Sequence, residues 1–174
     1  GDPQWCMAHV GVGDRDAGPG DTREGAEGMG WMAGDRLTAV YGFPNRVYGS
    51  FASQRNDDES GVRFGLDFYG SQGLLQLRAT MDPPVYRLRS VNWMPEKAPW
   101  ERVAAPAQEG SGQAAANVRV VRDLLAAIEE DRQPRSSGYD GRWALEMILA
   151  VYASHRGARR VPLPLPDRRH PLAV

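Results

Sequence analysis

Val62, Phe64, Leu66 and Phe68 alternate with Arg63, Gly65, Asp67 and Tyr69. That period of two predicts a strand with one face on a core. Upstream, Leu37, Ala39, Tyr41 and Phe43 lead into Pro44-Asn45, and Val47, Gly49 and Phe51 lead out. The pair predicts a hairpin. Gly70-Ser71-Gln72-Gly73 predicts a turn that returns Leu75, Leu77 and Ala79 as the next strand. Val85 to Arg89 predicts one more, and Gln4 to Val10, after Pro3, predicts the first. Short connections favour antiparallel pairing.

The period then changes. Val118, Val121, Leu125 and Ile128, with Leu124 beside them, recur at helical spacing. This helix is expected to end near Gln133, because Pro134 disfavours helix in the residue before it. Ser137 to Asp140 supplies a capping hydroxyl and an acid for a second helix start. Ala144, Ile148, Val151, Tyr152 and His155 form one stripe. Trp143, Leu145, Met147 and Leu149 make this helix apolar on most sides, so a central position is expected. Gly157 suits a left-handed cap, and Arg156, Arg159 and Arg160 suit the negative end of the helix dipole. Val161 to Leu163 predicts a short terminal strand, placed at an edge because Pro162 and Pro164 donate no N–H. Strands followed by helices predict an α+β fold, an antiparallel-rich sheet with helices on one face.

Two segments lack periodicity. Gly11 to Gly34 holds eight glycines and is expected to be a long loop. Asp82 to Gly112 is proline-rich, carries Trp93 and Trp100, and is expected to be irregular.

The length, 174 residues, suits one domain over 1–174, with 165–174 as a tail. A net charge of −1 gives no reason to expect nucleic acid or an anionic membrane as partner. Arginine supplies all the basic residues except Lys97. Cys6 is the lone cysteine, which points to a reducing cytoplasm. No apolar run approaches the roughly 18 residues of a membrane-spanning helix, and no signal peptide is visible.

Candidate chemistry is sparse. Gly11-Val12-Gly13 is half of a dinucleotide fingerprint, with Asp16 at the third glycine position. His9, His155 and His170 lack metal-ligand spacing, and Asp57-Asp58-Glu59 reads as a solvated turn. No catalytic, cofactor-binding or metal-binding residue is assigned. Candidate substrate contacts are Trp31, Trp93 and Trp100, whose ring faces suit a sugar, and Arg55, which suits an anion.

Asp123 to Pro134 reads as a helix ending in a charged link and a proline. Ser137 to Glu146, then Ala150 to Ser154, then Gly157 to Pro164 follow it. This succession resembles the C-terminal end of the glucose–fructose oxidoreductase / inositol dehydrogenase / rhizopine catabolism (Gfo/Idh/MocA) family. Gly70 to Leu75 resembles the family's recurrent strand–turn–strand, and Gly1 to Cys6 its entry into the substrate domain. The resemblance implies an open, mostly antiparallel sheet whose free face forms a homo-oligomer. It also implies a parent with an N-terminal Rossmann domain, supplied in cis and absent from this stretch, that uses NAD or NADP on a sugar, inositol or related alcohol. The family's Glu-Lys-Pro motif is not matched: Glu96-Lys97 is followed by Ala98. Its Asp-x-x-x-His helix is expected upstream of Gly1. The chain is therefore expected to be inactive alone and to bind no cofactor. The other reading is a non-catalytic binding or dimerisation module of the same fold.

Overall fold

Strand β1 (Trp5–Val12) alternates between a buried face, where Cys6 and Val10 are fully covered, and an outer face with exposed Met7. The computed structural model describes residues 1–28, 30–55, 64–78, 85–92, 94, 99–104, 110 and 112–173. The chain divides into two compact units, Gly1–Asn56 with Val120–Val174, and Asp57–Arg119.

In the first unit β1 runs antiparallel to β5 (Arg36–Gly42), which pairs antiparallel with β6 (Tyr48–Gln54). The expected hairpin is present, turned by a 3₁₀ turn over Pro44–Arg46. Gly42 is required because a Cβ there would stand 2.1 Å from the indole of Trp5. The terminal strand β11 (Val161–Pro162) pairs with Trp5 and Cys6 at the edge, as expected of a strand containing proline.

The expected long loop over Gly11–Gly34 is instead a folded excursion. It contains β2 (Arg15–Asp16), β3 (Arg23–Glu24) and β4 (Trp31–Met32), with 3₁₀ turns at Pro19–Asp21 and Ala26–Gly28. Strand β2 folds back on β1, and β3 pairs with β4. Glycine density marked the turns and hid strands too short to show a period.

Helix α2 (Gly138–Gly157) begins as expected. Ser137 Oγ accepts the Asp140 N–H, and Asp140 accepts the Ser137 N–H. The left-handed cap falls on Ala158, at φ 45°, one residue beyond the expected Gly157. The helix packs against β1 and is not central: Leu145 and Ile148 are each 56% exposed. Its covered positions are Glu146, Ala150, Val151, Tyr152 and Ser154. Of the expected stripe only Val151 and Tyr152 are buried; Ala144 and Ile148 are exposed, because the sheet covers one face of the helix, the one that carries Glu146, Ala150 and Ser154.

Glu146 is a carboxylate at a core position, 4% exposed. It accepts the Leu165 N–H and, at 2.6 Å, Arg168 Nη1. This clamp brings the segment after β11 onto α2, where Leu163, Leu165 and Leu172 are buried. Helix α1 (Gly112–Glu129) stops before the expected Gln133. Asp131 turns left-handed at φ 49°, and the Asp123 carboxylate collects Arg132 and the Arg135 N–H. Its apolar stripe, Val121, Leu124, Leu125 and Ile128, is exposed, while Ala127 is buried.

The second unit contains β7 (Gly65–Gly70), β8 (Gly73–Arg78), β9 (Val85–Leu88) and β10 (Trp100–Arg102), paired antiparallel in the order β10-β9-β8-β7. Strand β10 lies in the segment expected to be irregular. The alternation around Phe64 to Tyr69 does mark a strand, but its expected burial fails: Phe64, Leu66, Phe68 and Tyr69 are all more than half exposed. Period two reports extended backbone and does not report what covers it. Val62, Arg63 and Asp57-Asp58-Glu59 lie outside the described residues. Among the described residues, no helix is long and apolar enough to cross a membrane.

Removing the Glu146 carboxylate leaves a buried N–H without an acceptor. Glu146→Ala is expected to lower stability by about 2–3 kcal/mol, with Glu146→Gln less costly, as measured by urea denaturation at neutral pH. A change within experimental error for both variants would show that the clamp contributes nothing.

Candidate functional site

The C-terminal turn of α2 positions the site. Beyond Cys6, β11 no longer borders β1, so the Ala8 and Val10 N–H groups need other acceptors. Ser154 Oγ accepts from Ala8 at 2.9 Å, and His155 Nδ1 accepts from Val10 at 3.2 Å. His155 Nε2 lies 2.8 Å from the Ala17 carbonyl oxygen, so it carries the ring proton and donates it there. His155 is thus held as one neutral tautomer by structural bonds. Its ring stands at right angles to that of His9, 5.5 Å between centroids.

The excursion over Gly11–Gly34 is pinned by its own acids. Asp21 accepts both Arg15 Nη atoms at 2.7 Å and the Gly18 N–H at 2.7 Å. The Arg15 bonds hold its carboxyl down at about 2. Asp16 faces His9 Nε2 at 2.7 Å, and that bond lowers the Asp16 carboxyl. Asp35 accepts the Gly13 N–H at 3.0 Å, the main cause of its lowered carboxyl, while its carbonyl accepts the Arg55 N–H at 2.6 Å.

Two adjoining cavities result, sharing Ala33 and Tyr152 in their linings. One, of about 390 Å³, lies between the turn Asp16–Pro19 and His155. The other, of about 630 Å³, is lined by Arg23, Arg36, Arg55, Asp21, Asp35 and Gln54 among others. Its chemistry is recognition: arginine, carboxylate and amide groups suited to hydroxyls and anions. Among the described residues no cluster of His, Cys, Asp or Glu could hold a metal ion. Gly11-Val12-Gly13 leads from β1 into β2 rather than into a helix, so it offers no phosphate cradle.

Of the candidates read from sequence, Arg55 lines the larger cavity. Trp31 does not line it, although its neighbour Met32 does; the indole is 47% exposed on β4. Trp100 lies in the other unit, on β10 opposite Leu88. Trp93 is outside the described residues. Sequence reasoning missed Arg23, Arg36 and Asp35. The available signal was Asp35-Arg36 at the start of a strand, where a side chain can face the strand's end.

No model of a known protein family matches the chain, and no curated protein does. Solved structures do. The chain is similar over 96% of its length to an NAD binding oxidoreductase from Klebsiella pneumoniae (TM-score 0.70, 15% identity). It is similar over 95% to levoglucosan dehydrogenase in complex with NADH and L-sorbose (0.68, 16%). Over 93% it is similar to aldose–aldose oxidoreductase from Caulobacter crescentus complexed with glycerol (0.59, 18%). It spans 46%, 46% and 42% of those chains respectively, less than half of each. The chain therefore shares its fold, α+β with mostly antiparallel sheets, with part of each of these oxidoreductases.

The Asp21 carboxyl is lowered on folding, so its stabilising effect is full above its unfolded value near 3.8 and is lost as pH falls toward about 2. Wild-type protein is expected to lose melting temperature more steeply than Arg15→Gln between those pH values. Parallel slopes would show that the Arg15–Asp21 fork does not hold the excursion.

Proposed function

We propose that this chain is the C-terminal, substrate-binding and oligomerisation part of an NAD(P)-dependent oxidoreductase of the Gfo/Idh/MocA type, acting on a sugar, inositol or related alcohol. The carrying observation is the match of nearly the whole chain to less than half of a levoglucosan dehydrogenase solved with NADH and L-sorbose. In this reading the cofactor and the acid–base groups belong to the rest of the parent enzyme. The cavity bordered by Arg23, Arg36, Arg55 and Asp35 supplies contacts to the substrate. His155, whose two ring nitrogens are both engaged, is a positioning residue for the excursion and transfers no proton.

The oligomer forms through the outer face of the β1-β5-β6 sheet. Exposed Met7 and Tyr48 lie on that face, opposite the buried Cys6, Ala39 and Tyr41. Exposed apolar groups of this kind mark interfaces. The cytoplasm is the compartment that suits the single buried thiol of Cys6, which desolvation pushes up to about 11.

Ligand-observed NMR on the purified chain tests this function. Sugar or inositol resonances are expected to receive saturation from the protein, while NADH binds no tighter than millimolar. Micromolar NADH binding by this chain would contradict the assignment of the cofactor to another part of the parent.

A further inference from the structure

We infer that the Tyr152 hydroxyl is a substrate contact, bonding a hydroxyl of the sugar or inositol at the wall where the two cavities adjoin. The inference rests on the reading of the larger cavity as the substrate site. Tyr152 and Ala33 line both cavities, and of the two only Tyr152 carries a polar side-chain atom.

Tyr152 is 7% exposed and belongs to the core packed around α2. Its ring stands 6.4 Å from that of His170, tilted by 34°. Core packing thus holds the ring, but it does not use the oxygen. Among the described residues the Tyr152 hydroxyl makes no hydrogen bond. Nor is it one of the sealed polar atoms without a partner, which are Asp35 Oδ1 and Trp143 Nε1. An oxygen that is neither bonded nor sealed is open to the space its residue lines. Tyr41 shows the alternative. It is 6% exposed in the same core, and its hydroxyl donates to the Met147 carbonyl at 3.1 Å.

The Tyr152 oxygen therefore takes its partner from outside the chain, water in the free site and ligand in the occupied one. A phenol both donates and accepts, as a sugar hydroxyl does, so the two match in either direction. Neutral polar groups stand nearby on each side, Thr22 in the smaller cavity and Ser53 and Gln54 in the larger. A phenol already fixed by packing also loses little freedom when it binds.

The test is an NMR titration of the 174-residue chain with D-glucose and with myo-inositol, following the tyrosine Cζ resonances. The Tyr152 signal, assigned by its loss in Tyr152→Phe, is expected to shift as the ligand binds. Tyr152→Phe is expected to weaken binding about five- to tenfold and to leave the ligand-free melting temperature unchanged, because the oxygen has no partner inside the protein. Tyr69→Phe, on exposed β7, is expected to keep the wild-type affinity. Equal affinity in wild type and Tyr152→Phe, or an unmoved Tyr152 signal, would overturn the inference and leave the substrate site standing. A lowered melting temperature in ligand-free Tyr152→Phe would overturn it too, since the oxygen would then serve the fold. Binding of neither compound would overturn the reading of the cavity as a substrate site.

Discussion

The first unit depends on how one strand edge is covered. Strand β1 is bordered by β5 along its length, but β11 reaches only Trp5 and Cys6 on the other side. Buried strand amides without acceptors are costly, and α2 supplies the acceptors. Ser154 and His155, adjacent in its last turn, meet the Ala8 and Val10 N–H groups. The same two residues reach further. Ser154 Oγ donates to the Arg159 carbonyl at 2.7 Å, fixing the chain as it leaves the helix. His155 donates to the Ala17 carbonyl, fixing the excursion that walls the cavities. One helix turn thereby sets the sheet edge, the exit toward β11 and the site together.

Glu146 completes the arrangement two turns earlier in α2. Its carboxylate holds the returning segment through the Leu165 N–H and Arg168, and that segment places Leu163, Leu165 and Leu172 on the core around Val151 and Tyr152. A charged group at a core position is stabilising only when its oxygens are matched, and both oxygens here are.

Local signals made much of the fold legible. The hairpin of β5 and β6, the Ser137–Asp140 cap, and the edge position of Pro162 all follow from turn chemistry and missing donors within a few residues. Features that depend on distant partners were not legible. Glu146 sits inside an apolar helix, and its partners come 19 and 22 residues later. The strand around Phe68 has the right period, but period carries no information about cover. The site was legible only at Arg55, because arginine at a strand end can be read singly. Arg23, Arg36 and Asp35 become a site only when the glycine-rich segment folds into β3 and β4 beside β5. Trp31 and Trp100 sit in segments whose sequence shows no periodicity, yet both lie on short strands.

Native-state hydrogen exchange at the Ala8 and Val10 amides tests the covering of β1 most directly. In the wild type both are expected to exchange only through global unfolding, as core strand amides do. Ser154→Ala is expected to open Ala8 to faster local exchange while β5 amides stay protected. Fast exchange of both amides in the wild type, or an unchanged Ala8 in the variant, would show that the last turn of α2 does not hold the sheet edge.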